Sequence, residues 1–404
     1  MYRQGNWIGY CTNVHAGSDL MVTKANLAKY ASPIKRICSP DSPMGIGLWL
    51  SSQAVNDMVS QRQVEPFGEW LAQSGLVPFT FNGFPYGNFH QEVVKHLVYQ
   101  PTWAEDSRRE YSQQLATVMD CLLPDEFDGR KMEGSISTLP LAWNDKSATP
   151  DFLQQCANQL LELARFLEQL ENEKSRLIYY CIEPEPGCLL QTSETCVDFF
   201  TRYLFGQSAA TDELVKRYLR VCHDVCHAAV MFEEQGEFLS KIMDAGIRIG
   251  KVQVSSAVHL PLSDLSEEDQ VLAMNQLREF REPRYLHQTV LQQEDGSTHF
   301  FEDLPQAMDA LDADLSRYLE ARVHFHVPIF LSSIGMLKTS QPDILRCLEV
   351  SQHISDLTHF EAETYAWNVL PKGIRPDQTD SRPAEVDGLA AGIAREINWL
   401  TGLG

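Results

Sequence analysis

The chain has 404 residues, 44% of them hydrophobic and 22% charged, with 33 Lys and Arg against 55 Asp and Glu for a formal charge of −22. That balance lacks the clustered cations on which nucleic-acid recognition rests, so no nucleic-acid partner is expected. No run approaches 18 apolar residues and the start, MYRQGNWIGYCTNVH, has no basic–apolar–small leader pattern, so the expected location is cytoplasmic, with the ten cysteines reduced.

In chain order, short apolar runs alternate with stretches of helical period. Trp7–His15, Ile46–Leu50, Val77–Asn82, Ser135–Leu139, Leu177–Glu183, Tyr218–Asp224 and Lys251–Ser256 read as strands. Asp19–Ile37 and Asp151–Leu170 carry Leu, Ala and Phe at three- and four-residue spacing and read as helices. Strand then helix, repeated, predicts a parallel sheet covered by helices, here a (β/α)8 TIM barrel forming one elaborated domain over 1–404. The rhythm breaks over 257–321, where Tyr285–Gln292 and His299–Phe301 flank a Glu-Asp-Gly-Ser turn and predict an inserted β-hairpin near 285–301. A helix is expected over Leu304–Leu319 and another over Asp343–Ile354, and an amphipathic C-terminal helix over 384–400. Val323–Phe330 and Leu357–Trp367 make nine strand candidates for eight places. Leu357–Trp367 takes the eighth, and Val323–Phe330 stands either as the seventh or as an added strand.

Side chains at the C-terminal ends of barrel strands converge on one mouth, so polar residues that close apolar runs carry the chemical interest. One run closes with Glu183-Pro184-Glu185-Pro186 and another with His223-Asp224-Val225-Cys226-His227, and later come Gln253, His324 and His326, and His359, Glu361 and Glu363. Alternation puts His324 with His326, and His359 with Glu361 and Glu363, on shared faces. Gathering acids and imidazoles around one axis is costly unless a cation neutralises them, and these donors suit a divalent ion such as Mn, Zn, Co, Fe or Mg. Blander readings stand beside this one: Asp224 as a helix cap with His227 on the surface, and Glu183 and Glu185 in a proline turn. Asn13 and His15 close the first run, and Phe81–His90, with Asn82 and His90, follows the third. Aromatic, amide and imidazole groups there suit a polyhydroxylated small molecule, or else pack only against their own turn. His324 and Glu361 complete the candidates for substrate contact, and Lys95, Arg108 and Arg109 are cations within reach of a substrate phosphate or carboxylate.

The strings YCTNVHAG (10–17), FNGFPYGNFH (81–90), VKHLVYQPTWAE (94–105), GSISTLP (134–140), CHDVCHAA (222–229), YLHQTV (285–290), VHFHVPIF (323–330) and EAETYAWNVLP (361–371) resemble the EboE-type metabolite-traffic proteins over nearly the whole chain. The resemblance implies the xylose-isomerase-like, sugar phosphate isomerase/epimerase barrel. It also implies a role, with membrane-protein partners of the same pathway, in making or exporting a small metabolite. In that superfamily the metal is held from strands five, six, seven and eight, which implies Glu183, Asp224 and Glu363 here, with His326 preferred to Gln253 for the seventh-strand ligand.

These expectations amount to a metal-dependent isomerase or epimerase in which Glu183 and Glu363 act as acid and base and His227 orients a hydroxyl. A metabolite carrier that keeps the metal without catalysis is one rival. A metal-dependent phosphodiesterase of the endonuclease kind is another, and the charge of −22 speaks against it.

Overall fold

A computed structural model describes residues 1–3, 5–87, 94–145, 148–371 and 388–402. Eight strands run parallel: β1 (Asn6–Tyr10), β2 (Met44–Trp49), β3 (Leu76–Asn82), β4 (Gly134–Thr138), β5 (Ile178–Ile182), β6 (Leu219–Asp224), β7 (Ile249–Val254) and β8 (His359–Ala362). Their hydrogen-bonded order is β1-β8-β7-β6-β5-β4-β3-β2, and a parallel bridge from Cys11 to Gly47 joins the two ends into a barrel. Every residue of β2 to β8 is buried, as expected for parallel strands covered on one side by helices and on the other by each other. Gly47 is required here, because a Cβ at that position would lie 1.3 Å from the Glu361 carboxylate inside the barrel.

Helices fill the connections. Thr149 caps the 25-residue helix Pro150–Lys174, its hydroxyl accepting from Phe152 N–H at 3.2 Å, with Pro150 placed where no N–H is needed. The segment expected as one helix over Asp19–Ile37 is helical from Leu20 to Cys38 with a π turn at Leu27–Ala31, just before Pro33 removes a main-chain donor.

The seventh strand is Ile249–Val254, so Val323–Phe330 does not serve there. The strand in that region is Tyr318–Val323, which pairs antiparallel with Val258–Leu260 and with Thr289–Gln293. With Thr298–Phe301, Leu337–Thr339 and Ser333–Ile334 these make a six-stranded sheet between β7 and β8. The hairpin pairs Thr289 with Phe301 through Gln292 with Thr298. The helix starting at Leu304 stops at Ala313, short of the expected Leu319, because Tyr318, Ala321 and Val323 turn inward as the added sheet forms. The strand ends at Val323, and His324 and His326 follow it in an irregular segment that reaches over the barrel mouth. The C-terminal helix spans Gly388–Gly402, and residues 384–387 of the expected helix lie outside the described residues.

Candidate metal centre

Three of the strand-end groups meet. Glu183 follows β5, Asp224 ends β6 and Glu363 follows β8, and carboxylate oxygens of the three lie within 4.8 Å of one another, all buried. Ligand atoms of Asp224, His227 and His326 meet the same limit. Asp224 divides its oxygens. Oδ1 caps the helix Val225–Val230 by accepting from His227 N–H at 2.9 Å and also accepts from Ser255 Oγ at 2.7 Å. Oδ2 has no hydrogen-bond partner, the His227 Nε2 lying 3.9 Å away. Asp224 is therefore a helix cap that also keeps one oxygen among the clustered acids, whereas a surface position does not hold for His227 or for the Glu183–Glu185 turn, since all are buried.

Hydrogen bonds to the far side of each imidazole settle which nitrogen carries the proton. His326 Nδ1 donates to the Glu363 carbonyl at 2.8 Å, which leaves Nε2 a bare lone pair, buried and unpartnered. His227 Nδ1 donates to the Pro184 carbonyl at 2.8 Å. Gln288 spends its N–H on Glu185 and Tyr99, so its Oε1 accepts from His324 Nδ1 at 2.8 Å. The Nε2 atoms of His227 and His324 then face each other at 3.2 Å, each with its lone pair outward. Burial pushes His227 down to about 3 and His326 to about 4, and His324 well below its ordinary value, so the three rings are neutral near pH 7.

The acids are strained in the opposite sense. Burial and then Asp224 push Glu183 up to about 8, and burial, Glu183 and Asp224 raise Glu363. Glu363 is oriented by two amides, with Asn13 Nδ2 and Asn82 Nδ2 donating to its Oε1 at 2.6 and 3.0 Å. Unpartnered Glu183 Oε2, Asp224 Oδ2 and His326 Nε2 are the donor atoms that a divalent cation replaces water to meet. The residues present therefore fit such an ion, with oxygen predominating and one imidazole nitrogen.

A cavity opens over this floor. Asn13, Asn82, Glu183, His227, His324, His326 and Glu363 line it, so these sequence candidates do come together. Gln253 does not line it. It pairs in register with Asp224 and Glu361, shares the inward face of β7 with Lys251, and leaves both amide atoms buried and unpartnered. Two expectations for substrate contact fail. His15 does not reach the cavity: the chain leaves β1 at Tyr10 and coils into a 3-10 turn, turning the ring onto Tyr30, with Nε2 taken by the Tyr10 hydroxyl at 2.9 Å. Glu361 shares a face with Glu363 but sits one layer deeper, bound to Lys251 Nζ at 2.5 Å. His90 lies outside the described residues.

The cations once expected for a substrate anion are otherwise occupied. Arg108 is buried and donates to the Pro101, Gly83 and Phe84 carbonyls, Arg109 pairs with Asp106, and Lys95 lines the cavity but binds Asp303 at 2.9 Å. The sequence reading assigned no role to Glu185, Tyr99 or Gln288. Tyr99 Oη and Gln288 Nε2 both donate to Glu185 Oε1, at 2.8 and 3.0 Å, and Glu185 stands within ligand distance of His227 and His324. Alternation with Glu183 in the EPEP string was a signal for Glu185. Gln288 had none, for Glu185 and Tyr99, to which it donates, lie more than 100 residues away in the chain.

No family model and no curated protein matches the chain. Among solved structures it is similar to a D-tagatose 3-epimerase-like protein (10% identity, TM-score 0.48, 98% of this chain and 96% of the other). It is also similar to a xylose isomerase-like TIM-barrel protein from Mycobacterium smegmatis in complex with magnesium (10%, 0.46, 100% and 99%) and to a xylose isomerase domain-containing protein from Salmonella typhimurium (13%, 0.44, 100% and 98%).

Proposed function

We propose that the protein is a metal-dependent isomerase or epimerase of a polyhydroxylated small molecule. In this reading Glu183, Asp224, His326 and Glu363 hold a divalent cation (Mn, Zn, Co, Fe or Mg), with Gln253 as a neighbour beneath it. The observation that carries the reading is the convergence of buried, partnerless donor atoms on Glu183, Asp224 and His326 under an open cavity. When bound, such an ion supplies polarisation of a substrate carbonyl and its adjacent hydroxyl.

The chain's own residues then do the rest. Asn13 and Asn82 pin Glu363 through Oε1 beside Glu183 and Asp224. Glu183 and Glu363 form the acid/base pair: one carboxylate takes the proton from the carbon beside the carbonyl, and a carboxyl returns a proton to the product carbon. His227, neutral, donating through Nδ1 to the Pro184 carbonyl and lining the cavity with its Nε2 beside that of His324, accepts from a substrate hydroxyl and orients it. The resemblance to EboE-type proteins supports placing this step in the cytoplasm, in the making or export of a small metabolite together with membrane-protein partners. No described helix is long and apolar enough to cross a membrane.

The test is isotope exchange. Protein supplied with Mn²⁺ or Co²⁺ and a panel of ketoses in deuterated water incorporates deuterium at carbon, and Glu363→Gln abolishes the incorporation. No exchange across the panel overturns the reading.

A further inference from the structure

The walls of the cavity differ in kind from its floor. Beside the acids and imidazoles the lining includes Phe84, Pro85, Val94, Val98, Tyr285 and Leu286, an apolar and aromatic part of the wall that forms the neck of the cavity. Such walls gain by covering carbon and lose by stripping water from a charged oxygen. A sugar phosphate needs compensation there, either a free cation or a set of main-chain donors. Among the described lining residues the one cation is Lys95, already bound to Asp303 at 2.9 Å, and the floor beneath holds Glu183, Glu185 and Glu363.

Donors of the second kind, near the strand ends, are in part already engaged. Barrels of this kind commonly seat a phosphate on the loops after strands seven and eight. Here donors from those loops point at a carboxylate of the chain itself. Glu396, from the C-terminal helix and 1% exposed, accepts from Thr364 Oγ1 at 2.6 Å and Ile329 N–H at 3.2 Å through Oε1, and from Trp367 Nε1 at 3.1 Å through Oε2. Those three donors are thus taken by a carboxyl group of the chain itself.

We infer that the substrate is an unphosphorylated polyhydroxylated headgroup bearing an apolar substituent, alkyl or aryl, with the oxygens on the metal-binding floor and the hydrocarbon in the neck. This rests on the reading of the floor proposed above and names the substrate class for it. Each methylene buried in the neck strengthens binding roughly fourfold.

Calorimetry on the full chain with Mn²⁺ tests it with four matched ligands: a ketohexose, its 6-phosphate, its 6-O-octyl ether and its 6-O-benzyl ether. Both or either ether binding at least about tenfold more tightly than the parent, with the phosphate weakest, is the expected result. In Val98→Thr, which keeps the shape and adds a hydroxyl to the neck, the ratio of ether to parent affinity falls severalfold. A phosphate that binds as tightly as the parent or more so, or ethers with no advantage, overturns the inference. Its failure separates cleanly from that of isomerisation: deuterium exchange without ether preference sinks this inference alone, and ether preference without exchange sinks isomerisation alone.

Discussion

Two layers of the same barrel interior bury acids, and they treat them differently. In the lower layer Glu361 meets Lys251 Nζ at 2.5 Å, Lys251 also donates to Thr80 Oγ1 at 2.9 Å, and His359 Nδ1 sits 2.8 Å from Ser135 Oγ. Burial alone would lower the Lys251 pKa, but Glu361 outweighs it and holds the ammonium above its ordinary value. In the upper layer Glu183, Asp224 and Glu363 crowd together among neutral histidines, with no Lys or Arg at hydrogen-bonding distance among the described residues. The contrast teaches that burial alone does not distinguish these acids. What distinguishes the upper layer is charge that the fold gathers without supplying a Lys or Arg counter-ion among the described residues.

The sharpest way to break that comparison is to remove the lower layer's cation. Lys251→Met leaves Glu361 buried without its partner and is expected to cost about 3–5 kcal/mol in urea unfolding. Glu183→Gln, which relieves like-charge crowding, should cost far less in metal-free protein. Equal losses would mean that the two layers do not differ as described.

Glu396 offers an intermediate case, an acid met by neutral donors, and burial pushes it up to about 7 despite Thr364 and Trp367. A carboxyl whose folded pKa exceeds its unfolded value of 4.5 binds its proton more tightly in the native state. Its contribution is therefore complete below about pH 4.5 and is lost as pH rises through about 7, on the order of 3 kcal/mol in all. Stability measured by denaturant between pH 4.5 and 8 should fall accordingly, and Glu396→Gln should flatten that part of the profile.

The smallest expected effect sharpens the upper layer. Mn²⁺ at 100 times its Kd should stabilise the protein by about 2.7 kcal/mol, and Asp224→Asn and His326→Ala should lose that gain while Glu361, one layer down, contributes nothing to it. Unfolding curves with and without the ion check this. Retained stabilisation in both variants would remove Asp224 and His326 from the centre.

Much of this was legible in the residues. Short runs rich in apolar residues between helical stretches gave away β2 to β7, although several carry buried polar groups, such as Ser135 and Ser137 in β4 and Lys251 and Gln253 in β7. Glu183, Asp224 and Glu363 could be found because each closes such a run, and the end of a barrel strand is a fixed place in three dimensions. His326 was legible as a residue but not as a strand ligand, for it reaches the centre on an irregular segment beyond an inserted sheet.

The amino-acid order determined the alternation of elements, the inward face of each strand and the acids at three strand ends, because periods of two and of about 3.6 are written locally in side-chain polarity. Depth along the barrel axis was decided only by the folded chain. A period of two assigns Glu361 and Glu363 to one face and says nothing of which meets Lys251 and which meets the cavity. The same holds for His15, turned away by a coil after Tyr10, and for Gln288 and Glu396, whose partners come from distant segments. Such positions follow from how separate elements stack, and no local pattern encodes that.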